Sequence, residues 1–125
     1  YNTEDIWDFQ ASSIHAKYLK FFQSLPFYIE TENFLLVHAG FDFSKKKPFE
    51  DYFQMIWTRN MRGEAAKRDK LLGKRRIVHG HTPVPMHATR QMIDSQHFAI
   101  NLDNGCVFRN FHPDLGNLLC LNLDT

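Results

Sequence analysis

Two histidines in this chain stand in the same local setting. Leu35-Leu36-Val37 runs into His38-Ala39-Gly40, and Ile77-Val78 runs into His79-Gly80-His81. Each time, a short apolar run of the kind that forms a strand meets an imidazole beside a glycine. Loops at strand ends are where functional groups converge in layered folds. Glycine there lets the backbone turn sharply and lets a ligand come close. Neutral imidazole is a good ligand for zinc, iron and similar metals. A single strand-end histidine would be read more simply as a hydrogen-bonded turn residue. The repetition makes His38 and His81 candidate metal ligands. His79 lies two residues before His81, and on a regular strand both would face one side. Gly80 between them and Thr82-Pro83 after them turn the chain, so the rings are expected to diverge. His79 is then a supporting or packing residue.

Trp57-Thr58-Arg59 adds a third chemical group. The guanidinium fork suits bidentate contact with phosphate oxygens. One arginine among 15 basic residues can equally be a surface ion-pair partner. Lys67, Arg68, Lys70, Lys74, Arg75 and Arg76 form a basic segment with Asp69 as its one acid. No aromatic residue interleaves it, so it reads as a solvated helix face and not as a nucleic-acid surface.

The elements that position these groups follow from periodicity. Residues 4–24 are expected to be helical, with Ile6, Phe9, Ile14, Tyr18, Leu19 and Phe22 in one apolar stripe and Thr3 as cap. Pro26 stops that helix. Residues 27–29 and 34–37 read as a hairpin around Glu30-Thr31-Glu32-Asn33. Leu35, Leu36 and Val37 lack alternation, which predicts a strand buried on both faces. Residues 41–49 read as loop, residues 50–56 as a short helix and residues 63–72 as a weakly patterned helix. Strands are expected at Ile77-Val78, at 98–102, at 106–109 and at 118–123, with Asp103-Asn104-Gly105 as a tight turn. The pairs Phe21-Phe22 and Phe27-Tyr28 read as core. The mixture predicts an α/β (α+β) layered fold.

Composition bounds the function. The chain has 125 residues, 43% of them hydrophobic, with 12 Phe, enough for a core. A net charge of +1 gives no drive toward nucleic acid or anionic membranes. No apolar run reaches the roughly 20 residues that span a bilayer. The chain opens on Tyr1-Asn2-Thr3, without Met or a signal pattern, so a piece of a longer protein is expected. Cys106 and Cys120 lie in apolar stretches and are expected as buried free thiols, consistent with a reducing cytoplasm.

Four motifs together resemble the calcineurin-like metallophosphoesterases, in particular the bacterial phosphoprotein phosphatase branch that includes symmetrical diadenosine tetraphosphatases. They are Phe34-Leu35-Leu36-Val37-His38-Ala39-Gly40, Ile56-Trp57-Thr58-Arg59, Val78-His79-Gly80-His81-Thr82-Pro83, and Ile100-Asn101-Leu102-Asp103-Asn104-Gly105-Cys106-Val107-Phe108. They stand in the family's order and cover most of residues 25–123. The resemblance implies that His38 and His81 bind one metal of a two-metal pair of the Mn, Fe, Zn or Ni class. It implies that Arg59 holds the substrate phosphate and that Asp103 at most supports the site. The implied activity is metal-dependent phosphoester hydrolysis, on a phosphorylated protein or a small phosphoester. A diadenosine tetraphosphatase, a non-catalytic binding module and a small histidine metal-binding protein using His38, His79 and His81 stand as alternatives. The family also needs Asp-x-His, Gly-Asp-x-x-Asp-Arg-Gly and Gly-Asn-His-Glu motifs, which the 37 residues before His38 lack. The chain therefore looks like the C-terminal half of one catalytic domain, a four-layer β-sandwich flanked by helices. It would hold one partial metal site, and its uncovered sheet edges would favour self-association.

Overall fold

The computed structural model describes residues 15–124. The expected cap at Thr3 and the stripe positions Ile6, Phe9 and Ile14 lie outside them. Helix α1 (Ala16–Ser24) opens where the His15 ring accepts a hydrogen bond from the Lys17 amide. It closes at Leu25, which is extended ahead of Pro26. None of its residues is buried, and Tyr18, Phe21 and Phe22 are each more than half exposed. Phe21 and Phe22 pack on each other, and Phe27 stacks on Tyr52 at 4.3 Å, but Phe21, Phe22 and Phe27 are all exposed. The expectation that these aromatic pairs form core is thus corrected: of the four residues only Tyr28 packs against it.

The hairpin forms as expected. Strand β1 (Tyr28–Glu30) runs antiparallel to β2 (Phe34–Val37), with Ile29 opposite Leu36. Thr31 closes the turn through both its amide and its hydroxyl. Two crossovers then return the chain in the same direction, as parallel pairing requires. The first carries α2 (Tyr52–Trp57) and α3 (Ala65–Leu72) and leads to β3 (Arg76–His79). The second carries α4 (Met86–Asp94) and leads to β4 (Ala99–Asn101). The result is a mixed four-stranded sheet in the order β1-β2-β3-β4, with four helices among the described residues. No helix of the described residues is long and apolar enough to cross a membrane.

The core gathers on one face of the sheet. Leu35, Val37, Ile77 and Ala99 meet Met55 of α2 and Leu72 of α3. The alternate residues of β2, Phe34 and Leu36, are only half-buried, so β2 is not buried on both faces. The segment expected as loop supplies the two largest fully buried side chains. Phe41 and Phe43 are 0% and 1% exposed, and Phe49 stands edge-on to both. Asp42 turns back between them. The Ser44 hydroxyl donates to its carboxylate at 2.6 Å and holds it below the ordinary carboxylate pKa.

The last two expected strands do not form. Residues 106–109 make a 3-10 turn (Cys106–Phe108), and residues 118–123 hold no strand. The outer edge of β4 is already occupied. Thr89 Oγ1 donates to the Asn101 carbonyl at 2.8 Å, the Asn101 amide meets Met92 Sδ, and His97 Nδ1 covers the backbone of Ala99. A further strand has nothing left to pair with. Without those strands Cys106 and Cys120 are exposed, which corrects the expected burial. Three of the basic residues also serve structure more than solvation. Arg68 lies 3.9 Å over the Phe98 ring, Arg75 holds the carbonyls of Leu71 and Leu72, and Arg76 holds those of Met92 and His97.

Phe41→Ala should cost about 3–5 kcal/mol, because it opens a cavity against buried aromatic neighbours. Phe111→Ala, at an 83% exposed position, should change stability by less than about 0.5 kcal/mol. Urea unfolding midpoints compare the two directly.

Candidate metal centre

β2, β3 and β4 point the same way, so their carboxyl ends share one edge of the sheet. The ladder continues one step past the strands: the Gly80 amide donates to the His38 carbonyl at 2.9 Å, and the Leu102 amide to the His79 carbonyl at 2.8 Å. This places His38 and the His79-Gly80-His81 turn side by side. His38 Nε2 and His81 Nδ1 lie 3.1 Å apart. The expected pair is therefore in contact, and His79 diverges from it.

Each local feature around the pair has a function. Gly40 has φ 149°, and a Cβ there would stand 2.7 Å from Met61 Cε. Glycine is required if the chain after His38 is to pass so close to the 58–61 loop. The Ala39 amide ties that passage to the Met55 carbonyl at 2.8 Å. His81 itself has φ 72°, a left-handed conformation that is uncommon for a residue with a side chain. Such strain costs on the order of 1–3 kcal/mol and persists where surrounding structure imposes it, often at functional sites. The Trp57 ring stands edge-on to the His81 ring at 5.8 Å and braces it.

A hydrogen bond between two imidazoles uses one N–H and one bare nitrogen. A metal would replace the shared proton. Two nitrogens bound to one tetrahedral zinc at about 2.1 Å lie roughly 3.4 Å apart, so the pair needs to open by only a few tenths of an ångström. The donor chemistry fits a divalent ion, but the shell is incomplete. Among the described residues no group of three or more His, Cys, Asp and Glu side chains converges, and metal sites usually draw on at least three protein ligands.

His79 Nδ1 lies 3.3 Å from the Gly80 carbonyl. Burial pushes its imidazole below the ordinary value, against a smaller opposing pull from the carbonyls of Gly80 and Ala39. These carbonyls belong to the two loops that carry His81 and His38, so His79 packs between them as a support. Asp103 contacts neither ring. Its carboxylate accepts the Gly105 amide at 2.8 Å, its carbonyl accepts the Val84 amide, and its Cβ fills the space that a Gly80 side chain would need. Arg59, two residues past α2, is exposed and makes no hydrogen bond or ion pair among the described residues. It lines a cleft that also borders Ala39, His79 and Gly80.

Asn101 and Asn104 were not among the expected site residues, yet both are buried and hold the loops. Asn101 Nδ2 donates to the Thr82 carbonyl, and its Oδ1 accepts the Asp103 amide. Asn104 Nδ2 donates to the carbonyls of Val84 and Asp114. An asparagine within the apolar run Ile100-Asn101-Leu102 was the available signal, because a buried amide must find partners. Thr82 Oγ1 is the one buried side-chain polar atom of the described residues left without a partner.

Comparison of the chain with protein-family models, curated proteins and solved structures finds no match.

The lowered His79 value has a consequence for stability. The folded state binds fewer protons than the unfolded chain at pH values between that lowered value and about 6.5. Stability should therefore fall as the pH drops through this window and level off below it. Urea midpoints followed from about pH 7.5 to about pH 5 should fall for the wild type and fall less for His79→Gln. Equal falls would assign the effect to another group.

Proposed function

We propose that this chain supplies part of the active site of a calcineurin-like metallophosphoesterase, a metal-dependent phosphoester hydrolase with a sandwich fold. The observation that carries this reading is the contact between His38 Nε2 and His81 Nδ1, two residues from separate motifs brought to 3.1 Å. Strain at His81 and an arginine at the adjoining cleft that is unpaired among the described residues support it. The other ligands that the resemblance calls for are not in these 125 residues.

Within the reading each residue has a task. His38 Nε2 and His81 Nδ1 would hold one divalent metal, which supplies Lewis-acid charge to a phosphate oxygen and lowers the pKa of a bound water. Arg59 binds phosphate oxygens and stabilises their charge as the ester is cleaved. Trp57 and Gly40 keep the His81 ring and the chain after His38 in place. His79 holds the two loops against each other. A compact three-histidine metal protein has less support, because the half-buried His79 ring meets the Gly80 carbonyl and no group of three such ligands converges among the described residues.

Two measurements test this. With manganese and p-nitrophenyl phosphate, the 125-residue chain should turn over little or no substrate, and robust turnover would contradict the partial site. In a longer protein that carries the upstream motifs, His81→Gly suits the φ of 72° and should keep the fold. It should lower activity by more than the roughly 10- to 100-fold that loss of a supporting residue costs, and His79→Gln should stay within that range. Equal losses at the two positions would reverse their roles.

A further inference from the structure

The cleft at Arg59 has a lining that phosphate contact alone does not require. This open cleft measures about 390 Å³, at the small end of the roughly 300–1,000 Å³ typical of small-molecule sites. Met61, Val84, Met92 and Phe98 line it, and all four are half-buried. Such side chains gain by burial against an apolar ligand. Thioether sulfurs adapt their shape and make favourable contacts with aromatic ring edges. Phe98 is fixed in place by Arg68 across its ring. Arg59 lines the same cleft with its guanidinium uncommitted among the described residues. One cleft thus combines an anion-binding fork with a compact apolar wall.

We propose that this cleft binds the aromatic ring of a small aryl phosphomonoester whose phosphate group contacts Arg59. The assignment rests on the phosphoester reading above and narrows its substrate class. An extended phosphopeptide fits less well. The backbone edge of β4 beside the cleft is already met by Thr89, Met92 and His97, so a peptide strand cannot add there.

Methionine methyl NMR on the 125-residue chain tests the cleft without metal or turnover. Phenyl phosphate should shift the methyl signals of Met61 and Met92 and leave the core Met55 unmoved. Phenol should move the same two signals at higher concentration, and inorganic phosphate should move neither. Arg59→Gln should weaken phenyl phosphate binding about tenfold, as the loss of one charge-assisted contact does, and leave phenol binding unchanged. Three outcomes overturn the proposal: no shift at Met61 or Met92 with either aromatic probe, equal shifts with inorganic phosphate, or no effect of Arg59→Gln on phenyl phosphate. A phosphoserine peptide that moves these signals at lower concentration than phenyl phosphate also overturns it. His81→Gly should leave the methyl shifts intact. Failure of the metal reading and failure of the cleft assignment are therefore seen in separate measurements.

Discussion

The register of three parallel strands is the constraint on which the rest depends. Leu35, Ile77 and Ala99 stand abreast on the core face, and the ladder that aligns them continues into the turns that carry His38 and His81. Adjacent strands lie about 4.8 Å apart, so the residues leaving their carboxyl ends emerge as neighbours. A one-residue slip of β3 would take Ile77 out of the core and also turn His79 outward. The burial that stabilises the sheet and the alignment that brings the imidazoles together are therefore one requirement.

Sheet register places the loops only coarsely, and buried amides complete the positioning. Asn101 joins the loop at Thr82 to the turn at Asp103. Asn104 joins Val84, Asp114 and Asn117, so the segment after β4 is tied to the segment after β3. Removing any one partner leaves a buried group unpaired, at about 1–3 kcal/mol. That stiffness lets His81 hold a left-handed backbone and leaves the Thr82 hydroxyl beside it without a partner among the described residues. The two local costs sit on adjacent residues, next to the imidazole that the site would use.

What the sequence made legible was local. The hairpin, the strand ends and the two histidines followed from short apolar runs stopped by glycine, and the structure has them at those positions. The opposite errors came from long-range packing. Phe41 and Phe43 lie in a segment with no periodicity, and they are buried because α2 and β2 close over them. The strands expected at 106–109 and 118–123 had apolar residues but no free partner, since side chains already satisfy the edge of β4. Helix α4 was not anticipated. Met86, Met92 and Ile93 do recur at helical spacing, but its one buried residue is the polar Thr89, which faces a strand edge. Arg59 could be named from the sequence, but its lack of a partner among the described residues could not.

The two sides of the sheet differ in a way that bears on the incomplete metal shell. At β4 the edge is covered by the chain's own side chains. At the other end, β1 pairs on one side only among the described residues, and Ile29 is 52% exposed on the face opposite the core. There Phe27, Ile29, Leu36, Val78 and Leu102 line a shallow apolar groove, and His38 and His79 line the same groove. Because His38 lines it, anything seated on it lies beside that imidazole. On the phosphoesterase reading, a segment seated on this face would lie beside His38 and so be placed to add ligands to the pair.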